Sequence, residues 1–299
     1  MTVLDITQTS GTIESTSSRL RKAGYLSPVF LISSACILAM VFAAILADWL
    51  MPHDPLSPDL SKALMPPFWQ DGGSLSYPLG TDTLGRDMLS RLILGARVSL
   101  VAAVSAIFVA GAIGVTLGIM AGYFGGLCDS VIMRLADGML SLPIIFLALI
   151  LGVVYGPSLA NVVLVIVLLL WARFARVIRA EVLSWKTRDF VNLARVAGAS
   201  PWWVMWNHIF PNVVNTAIVL GTLQVGTAIM LEAALSFLGV GIPAPAPSWG
   251  GIAATGRNYV TSAWWLSTFP GIAIMIIVLA TNLLGDWVRD TLDPQLRQL

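Results

Sequence analysis

The chain has 299 residues, of which 57% are hydrophobic and only 11% charged, and its mean hydropathy is +0.83. Soluble domains carry about a quarter charged residues, so this composition excludes a soluble globular protein and indicates a polytopic membrane protein. A formal net charge of +1 gives no bias toward nucleic acid, and the two cysteines, Cys36 in an apolar run and Cys128 near an expected turn, do not suggest a disulfide.

In chain order, residues 1–27 form a polar, Ser/Thr-rich tail with Arg19, Arg21 and Lys22 just ahead of an apolar run. A secretory signal would also place basic residues before apolar ones. Residues 28–47, however, stay uncharged for about 20 residues, long enough to cross a bilayer core, and no small-residue cleavage site follows. Residues 28–50 are therefore expected to be an uncleaved first span. Further charge-poor stretches cover 98–123, 138–172, 213–238 and 264–284.

The stretch 138–172 is long for one span and short for two, but Tyr155-Gly156-Pro157-Ser158 divides it as a turn would. Charge asymmetry decides the count. With two spans there, Arg19, Arg21, Lys22, Arg134, Arg173, Arg176, Arg179, Lys186, Arg188, Arg195, Arg289 and Arg297 share one side, 12 of the 17 basic residues. A single span would put the basic island 173–211 outside, against the positive-inside rule. The expectation is an all-α fold of six transmembrane helices with both termini cytoplasmic. The third and fourth helices then borrow length from their flanks, bringing Arg134, Asp137, Arg173 and Arg176 to the cytoplasmic interface.

On the second expected helix, Gly114, Gly118 and Gly122 recur every four residues on one face, a spacing that lets helix backbones approach closely where lipid removes the hydrophobic drive. Before it, Asp82, Arg86, Asp87 and Arg91 alternate in sign and read as an amphipathic run on the extracytoplasmic side. That run is either a self-paired interfacial helix or a surface for protein partners. In the island, Gly198 suits a helix C-cap and Ser200-Pro201 an N-cap followed by proline at the first helical position. The expectation is a short helix, a turn, and a second short helix ended by Pro211. Trp202, Trp203 and Trp206 on it serve either a protein-docking knob or an interfacial belt. His208 has no Cys, His or carboxylate cluster around it and reads as a packed or interfacial histidine, so no metal site is expected. Glu232 is the only acid within a span. An intramembrane carboxylate points to translocation or gating, where it would neutralise a substrate amine or pair with an arginine such as Arg257.

The spacing from Asn192, Leu193 and Ala194 through Gly198, Ala199 and Ser200 to His208 and Pro211 resembles the "EAA" loop by which ATP-binding-cassette importer permeases receive their ATPase subunits. Ala194, Gly198 and Pro211 match that pattern; Asn192 and Leu193 stand where the family has Glu and Ala, and His208 and Phe210 where it has Ile and Leu. The segment from Leu79-Gly-Thr-Asp-Thr-Leu-Gly-Arg86-Asp87 to Arg97-Val-Ser-Leu is similar to the entry to the second helix in C-type subunits of the peptide/nickel permeases. Ala121-Gly-Tyr-Phe-Gly-Gly, Leu235-Ser-Phe-Leu-Gly-Val-Gly, Pro247-Ser-Trp249-Gly and Asn282-Leu-Leu-Gly-Asp286-Trp-Val-Arg289 extend the likeness. The insert 66–74 resembles dipeptide permeases in particular.

The resemblance implies a type I importer (MetI-like) permease in a prokaryotic cytoplasmic (inner) membrane. Its implied layout is a tail (1–27), a first helix (28–50), an extracytoplasmic loop with an amphipathic segment (51–97), a five-helix core (98–286) holding the coupling loop 186–212, and a C-terminal tail (287–299). It implies a second homologous permease, two cytoplasmic ATPases, an extracytoplasmic substrate-binding protein and a peptide substrate, with no nucleic acid. Asp82, Arg86, Asp87, Arg91 and Trp249 become candidate partner contacts. Each of Lys22, Lys62 and Lys186 follows Arg, Ser or Trp, so the Gly-Lys-Ser/Thr core of a phosphate-binding loop is absent. ATP and Mg are therefore expected in partner subunits, with no cofactor or enzyme activity in this chain. Nickel, glutathione or another small solute fits the same motifs, and a secondary carrier or channel would explain six spans but not the island.

Overall fold

The computed structural model describes residues 28–292; the expected tail 1–27 and the part of the expected C-terminal tail beyond 292 lie outside the described residues. Nine helices among the described residues organise the chain: α1 (Pro28–Ile45), α2 (Met88–Phe124), α3 (Gly126–Ser141), α4 (Ile144–Tyr155), α5 (Leu159–Trp185), α6 (Asp189–Val196), α7 (Pro201–Phe237), α8 (Trp249–Gly256) and α9 (Trp265–Leu292). A four-residue turn, Ala47–Leu50, and two short 3₁₀ turns complete the helical structure there, and the described residues contain no strand, only an isolated bridge between Thr81 and Asp87. Five helices, α1, α2, α5, α7 and α9, are long and apolar enough to cross a membrane, and α3 with α4, bent by 89°, makes a sixth span if the pair is counted as one. Alternate helices run in opposite directions. One end, the basic end, carries 186–212; the other, the loop end, carries 51–87 and 239–264.

Several boundaries differ from those expected. Helix α2 starts at Met88, not at 98, so ten residues assigned to the extracytoplasmic loop are helical. Asp87 caps it, accepting from Ser90 N at 2.9 Å. The helix can carry two arginines because distant chain answers them. Arg91 Nη1 donates to Pro55 O (3.2 Å) and Arg91 lies 3.4 Å from Asp82, while Arg97 makes a two-pronged bond to Asp48 (3.0 Å each) and donates to Ala44 O at the end of α1 (2.6 Å).

The expected third span is broken at Leu142-Pro143. Proline disfavours helical backbone at the residue before it, and Leu142 is extended (ψ 131°). The expected turn after Tyr155 is present: Gly156 has φ +76°, and Ser158 caps α5 by accepting from Asn161 N at 3.1 Å. Helix α5 then continues past 172 to Trp185, taking Arg173, Arg176 and Arg179 with it. Arg176 pairs with Asp137 at 2.6 Å, so the two helix ends expected at one interface do meet.

Pro211 does not end a short helix. The helix opened at Pro201 runs through a π-helical turn, Met205–Ile209, into the long membrane segment Phe210–Phe237. Phe210 N bonds to Met205 O, five residues back. A proline near the start of the following α segment lacks the N–H that a regular helix would use, and the widened turn relieves its ring from the preceding carbonyls. The break read into Pro211 is therefore a local widening within a continuous rod.

The core is built around α2 against α5, the most extensive interhelical contact. Gly114, Gly118 and Gly122 lie on that seam. A Cβ on Gly118 would stand 2.7 Å from Ala175 O, one on Gly122 would meet Val182 Cβ at 2.7 Å, and one on Gly114 would collide with the Trp171 carbonyl and Phe174 Cβ. Gly111, by contrast, would meet only the Phe174 ring at 3.7 Å, an ordinary contact. Gly118→Leu is therefore expected to force the helices apart at a cost of about 1–3 kcal/mol. This should appear as a lower unfolding temperature of the purified chain in detergent, with Gly111→Ala near wild type.

Candidate functional site

At the basic end, α6 and the start of α7 form a helix–turn–helix that the local sequence dictates. Gly198 has φ +84°, the left-handed conformation favourable to glycine. Gly198 N donates to Arg195 O and Ala199 N to Ala194 O, both at 3.0 Å, closing α6 with a Schellman cap. Ser200 then caps α7 by accepting from Trp203 N at 3.3 Å, with Pro201 at the first helical position. Between the two helices lies an open groove of about 740 Å³ lined by Phe190, Leu193, Ala194, Gly198, Trp203 and His208 with their neighbours. Leu193 and Val196 are 68% and 87% exposed. The groove is thus mostly apolar and open to the surroundings.

Of the residues expected at this site, Leu193, Ala194, Gly198, Ala199, Ser200 and His208 line one groove. Asn192 lies on α6 outside that lining, exposed, donating to Thr187 O at 3.3 Å, and Pro211 sits beyond the π turn on α7. His208 packs edge-on to Trp203 (4.9 Å) and beside Phe190 (5.9 Å), the packed histidine expected. The three tryptophans divide: Trp203 lines the groove, Trp202 meets Phe124 (6.0 Å) at the end of α2, and Trp206 meets Phe210 (5.2 Å).

Sequence reasoning missed the ties that hold this module to the bundle. Lys186 Nζ donates to Gly122 O (2.8 Å), and Arg195 both hydrogen-bonds the Tyr123 hydroxyl (3.3 Å) and lies over its ring (4.8 Å). Arg179 forms a two-pronged bond with Asp129, a contact between residues 50 positions apart in the sequence. The one available signal was the aromatic pair Tyr123-Phe124 beside Gly125, at the end of the expected second helix.

At the loop end the alternating run is not an amphipathic helix. Asp82 and Arg86 occupy a tight turn: Asp82 accepts from Leu84 N and Arg86 N (2.9 Å each) and from Arg86 Nε (2.7 Å). Asp82, Asp87, Arg91 and Trp249 are buried within the chain, and Arg86 is largely so. These five candidate partner contacts therefore turn inward, with Asp82 paired to Arg86 and Arg91 and Asp87 capping α2, while Asp87 Oδ1 and Arg91 Nε are buried without a hydrogen bond. Trp249 Nε1 donates to Leu92 O (2.9 Å), and Trp265 Nε1 to Thr81 O (3.0 Å), pinning the loop to α2 and α9. What this end exposes instead is Leu60, Phe68, Trp69 and Leu75.

Glu232 is fully buried on α7 and accepts from Ser99 Oγ and Ser236 Oγ, each at 2.8 Å. Arg257 does not pair with it; that guanidinium lies 6.0 Å over the Phe237 ring. A partner expected from charge alone was thus replaced by hydroxyls, which sequence spacing does not advertise.

Residues 114–298 match the family model described as "Binding-protein-dependent transport system inner membrane component". The chain is 42% identical over 261 residues to the di/tripeptide transport system permease protein DppC of Pseudomonas aeruginosa, covering 87% of this chain and 86% of that protein. It is 45% identical over 262 residues to the dipeptide transport system permease protein DppC of Escherichia coli K12 (88% and 87% covered). To its namesake in Haemophilus influenzae it is 40% identical over 268 residues (90% and 91%).

The groove depends on one left-handed residue. Gly198→Val should open the α6–α7 turn, whereas Gly198→Asn, which tolerates that conformation, should keep it. Hydrogen exchange at residues 197–203 is the check, with at least several-fold faster exchange expected for the valine variant and near wild-type rates for asparagine.

Proposed function

The chain belongs to the family of binding-protein-dependent transport system inner membrane components, whose architecture is the type I (MetI-like) importer permease, and on that premise we propose that it is the permease subunit of an ATP-driven dipeptide importer. The substrate class rests on relatives that are named for dipeptide or di/tripeptide transport and are covered almost end to end. The observation that carries the coupling role is the groove between α6 and α7. It is apolar, open and rigidly capped, and it sits at the mouth of a 37-residue helix that crosses the bundle. A neighbouring ATPase that seats a side chain there moves α7 directly.

In this reading the basic end faces the cytoplasm. Arg134, Arg173, Arg176, Arg179, Lys186, Arg188 and Arg195 gather there, as the positive-inside rule requires. Two cytoplasmic ATPases hydrolyse ATP with Mg, this chain supplying neither nucleotide site nor catalytic residue. A second, homologous permease completes the pathway. On the opposite side an extracytoplasmic binding protein delivers the peptide to a loop platform. Asp82, Arg86, Asp87, Arg91 and Trp249 brace that platform from beneath, while Leu60, Phe68 and Trp69 supply its exposed surface.

The mechanism is a difference in binding between two states. ATPase closure pushes residues 191–207, α5 and α7 tilt as levers against α2, and the pathway opens outward to receive substrate. Hydrolysis and release return it inward. The chain's own contribution is mechanical: a socket, two levers and a glycine seam along which they bear.

Reconstitution in lipid with the second permease and ATPases tests the reading. ATP hydrolysis should rise only when binding protein and a dipeptide are both present. Stimulation by binding protein with nickel or glutathione instead would keep the mechanism and change the substrate, and failure to associate with any ATPase would return the chain to the carriers or channels. The socket has its own test. Leu193 lines the groove from α6 and is exposed, so a longer charged side chain there enters the groove and leaves the Gly198 cap intact. Leu193→Arg should leave the membrane subunits assembled yet reduce stimulated hydrolysis by tenfold or more; full stimulation in that variant would move the docking site elsewhere.

A further inference from the structure

The fully buried carboxyl of Glu232 is accounted for neither by the groove nor by the salt bridges. It sits near the loop end of α7 with no exposure to solvent, and no cation pairs with it among the described residues. Its partners are hydroxyls from separate parts of the chain. Ser99 reaches it from α2 and Ser236 from one turn along α7.

Ser236 is itself committed: its Oγ accepts from Ile242 N (3.2 Å), so it holds the loop backbone and has its proton left for Glu232. The surrounding backbone is fitted as tightly. A Cβ on Gly250 would strike Ala233, one on Gly241 would strike Ser236, and one on Gly95 would stand 2.9 Å from the Trp249 ring. The carboxyl thereby joins α2 to α7 where the 239–248 loop and α8 pack closely against the same turn.

A substrate amine cannot reach a group enclosed in this way. A mechanical role is open to it, because α7 is continuous from the groove: Trp203 and Glu232 are separated by 29 residues, roughly 40 Å at the helical rise. The other end of α2 also touches the coupling module, through Gly122, Tyr123 and Phe124. The two helices thus meet the module at one end and each other's hydroxyl and carboxyl at the other.

We infer that the Ser99–Glu232 hydrogen bond is a latch between α2 and α7, closed in the conformation described and released when the ATPases drive α7. Glu232 is on this account a positioning residue for the transport cycle, and the inference rests on the importer reading above. Removing one partner of a buried hydrogen bond that holds only one of two states shifts their equilibrium by up to about tenfold.

The test uses the complete complex in lipid. Glu232→Gln and Ser99→Ala should each raise hydrolysis in the absence of binding protein by roughly three- to tenfold, compress the stimulation ratio and lower dipeptide uptake. The double variant should go little further than either single one, since both break the same bond. Ser99→Thr keeps the hydroxyl and should keep the ratio, a rescue that a merely structural role would not show. If Ser99→Ala fails to assemble, Ser99→Cys, close in size and a much weaker donor, takes its place with the same expectation. A stimulated wild-type complex whose ratio is unchanged in Glu232→Gln and Ser99→Ala, or additive effects in the double variant, overturns the latch alone. A wild-type complex that shows no stimulation overturns the importer reading and the latch's part in coupling with it.

Discussion

Three glycines on α2 bring the backbone of α5 so close that no side chain fits between them. Lipid offers helices no hydrophobic reason to associate, so association must come from surface fit, and small residues provide the largest contact for the least ordering. Nearly every tie at the basic end depends on that approach. Lys186 can reach the Gly122 carbonyl only because Val182, one turn earlier on α5, already touches Gly122. Arg179 on α5 reaches Asp129 on α3 beside the seam, and Arg195 finds Tyr123 just past it. The exposed groove is therefore mounted on the most tightly fitted part of the molecule.

The loop end achieves stiffness by different means. It has no long seam, and it uses buried polar groups that answer one another: Asp82 with three backbone and side-chain donors, Asp87 with Ser90, Trp249 and Trp265 with carbonyls of Leu92 and Thr81. Such networks are costly when incomplete and rigid when complete. The contrast between a bare glycine contact at one end and a polar lattice at the other suits a molecule whose ends meet different partners.

What the sequence disclosed and what it withheld divide along a physical line. Features fixed by residues within one turn of each other were legible: the Gly198 cap, the Ser200-Pro201 helix start, the turn after Tyr155 and the spacing of Gly114, Gly118 and Gly122. Spans were legible where charge was absent. The start of α2 was hidden because Arg97 is paired with Asp48, 49 positions away, and Arg91 donates to Pro55 O, 36 away, which no local window contains. Asp82 and Asp87 have local partners in Arg86 and Ser90; what was hidden is that Trp249 and Trp265, far along the chain, pin this segment inward. Leu142-Pro143 was overlooked inside an oily stretch whose apolar character masked a local break. Pro211 failed in the opposite direction, since a strong local stop was overridden by a widened turn. Glu232 was correctly singled out as an intramembrane acid, while its serine partners, common residues at unrelated spacings, carried no signal.

That widened turn has a further meaning. In a regular helix, residues five apart point about 140° away from each other, yet Trp203 and His208, five apart, pack together on one wall of the groove. The π turn acts as a phase shifter, inserting a fixed angular offset between the head of α7 and its shaft. The groove is thereby clocked to a particular orientation relative to the carboxyl far along the rod. Chain length between Trp203 and Pro211 is consequently a geared quantity: one residue more or fewer would rotate the shaft by about 100° against its head, leaving every contact residue present and the two ends out of step.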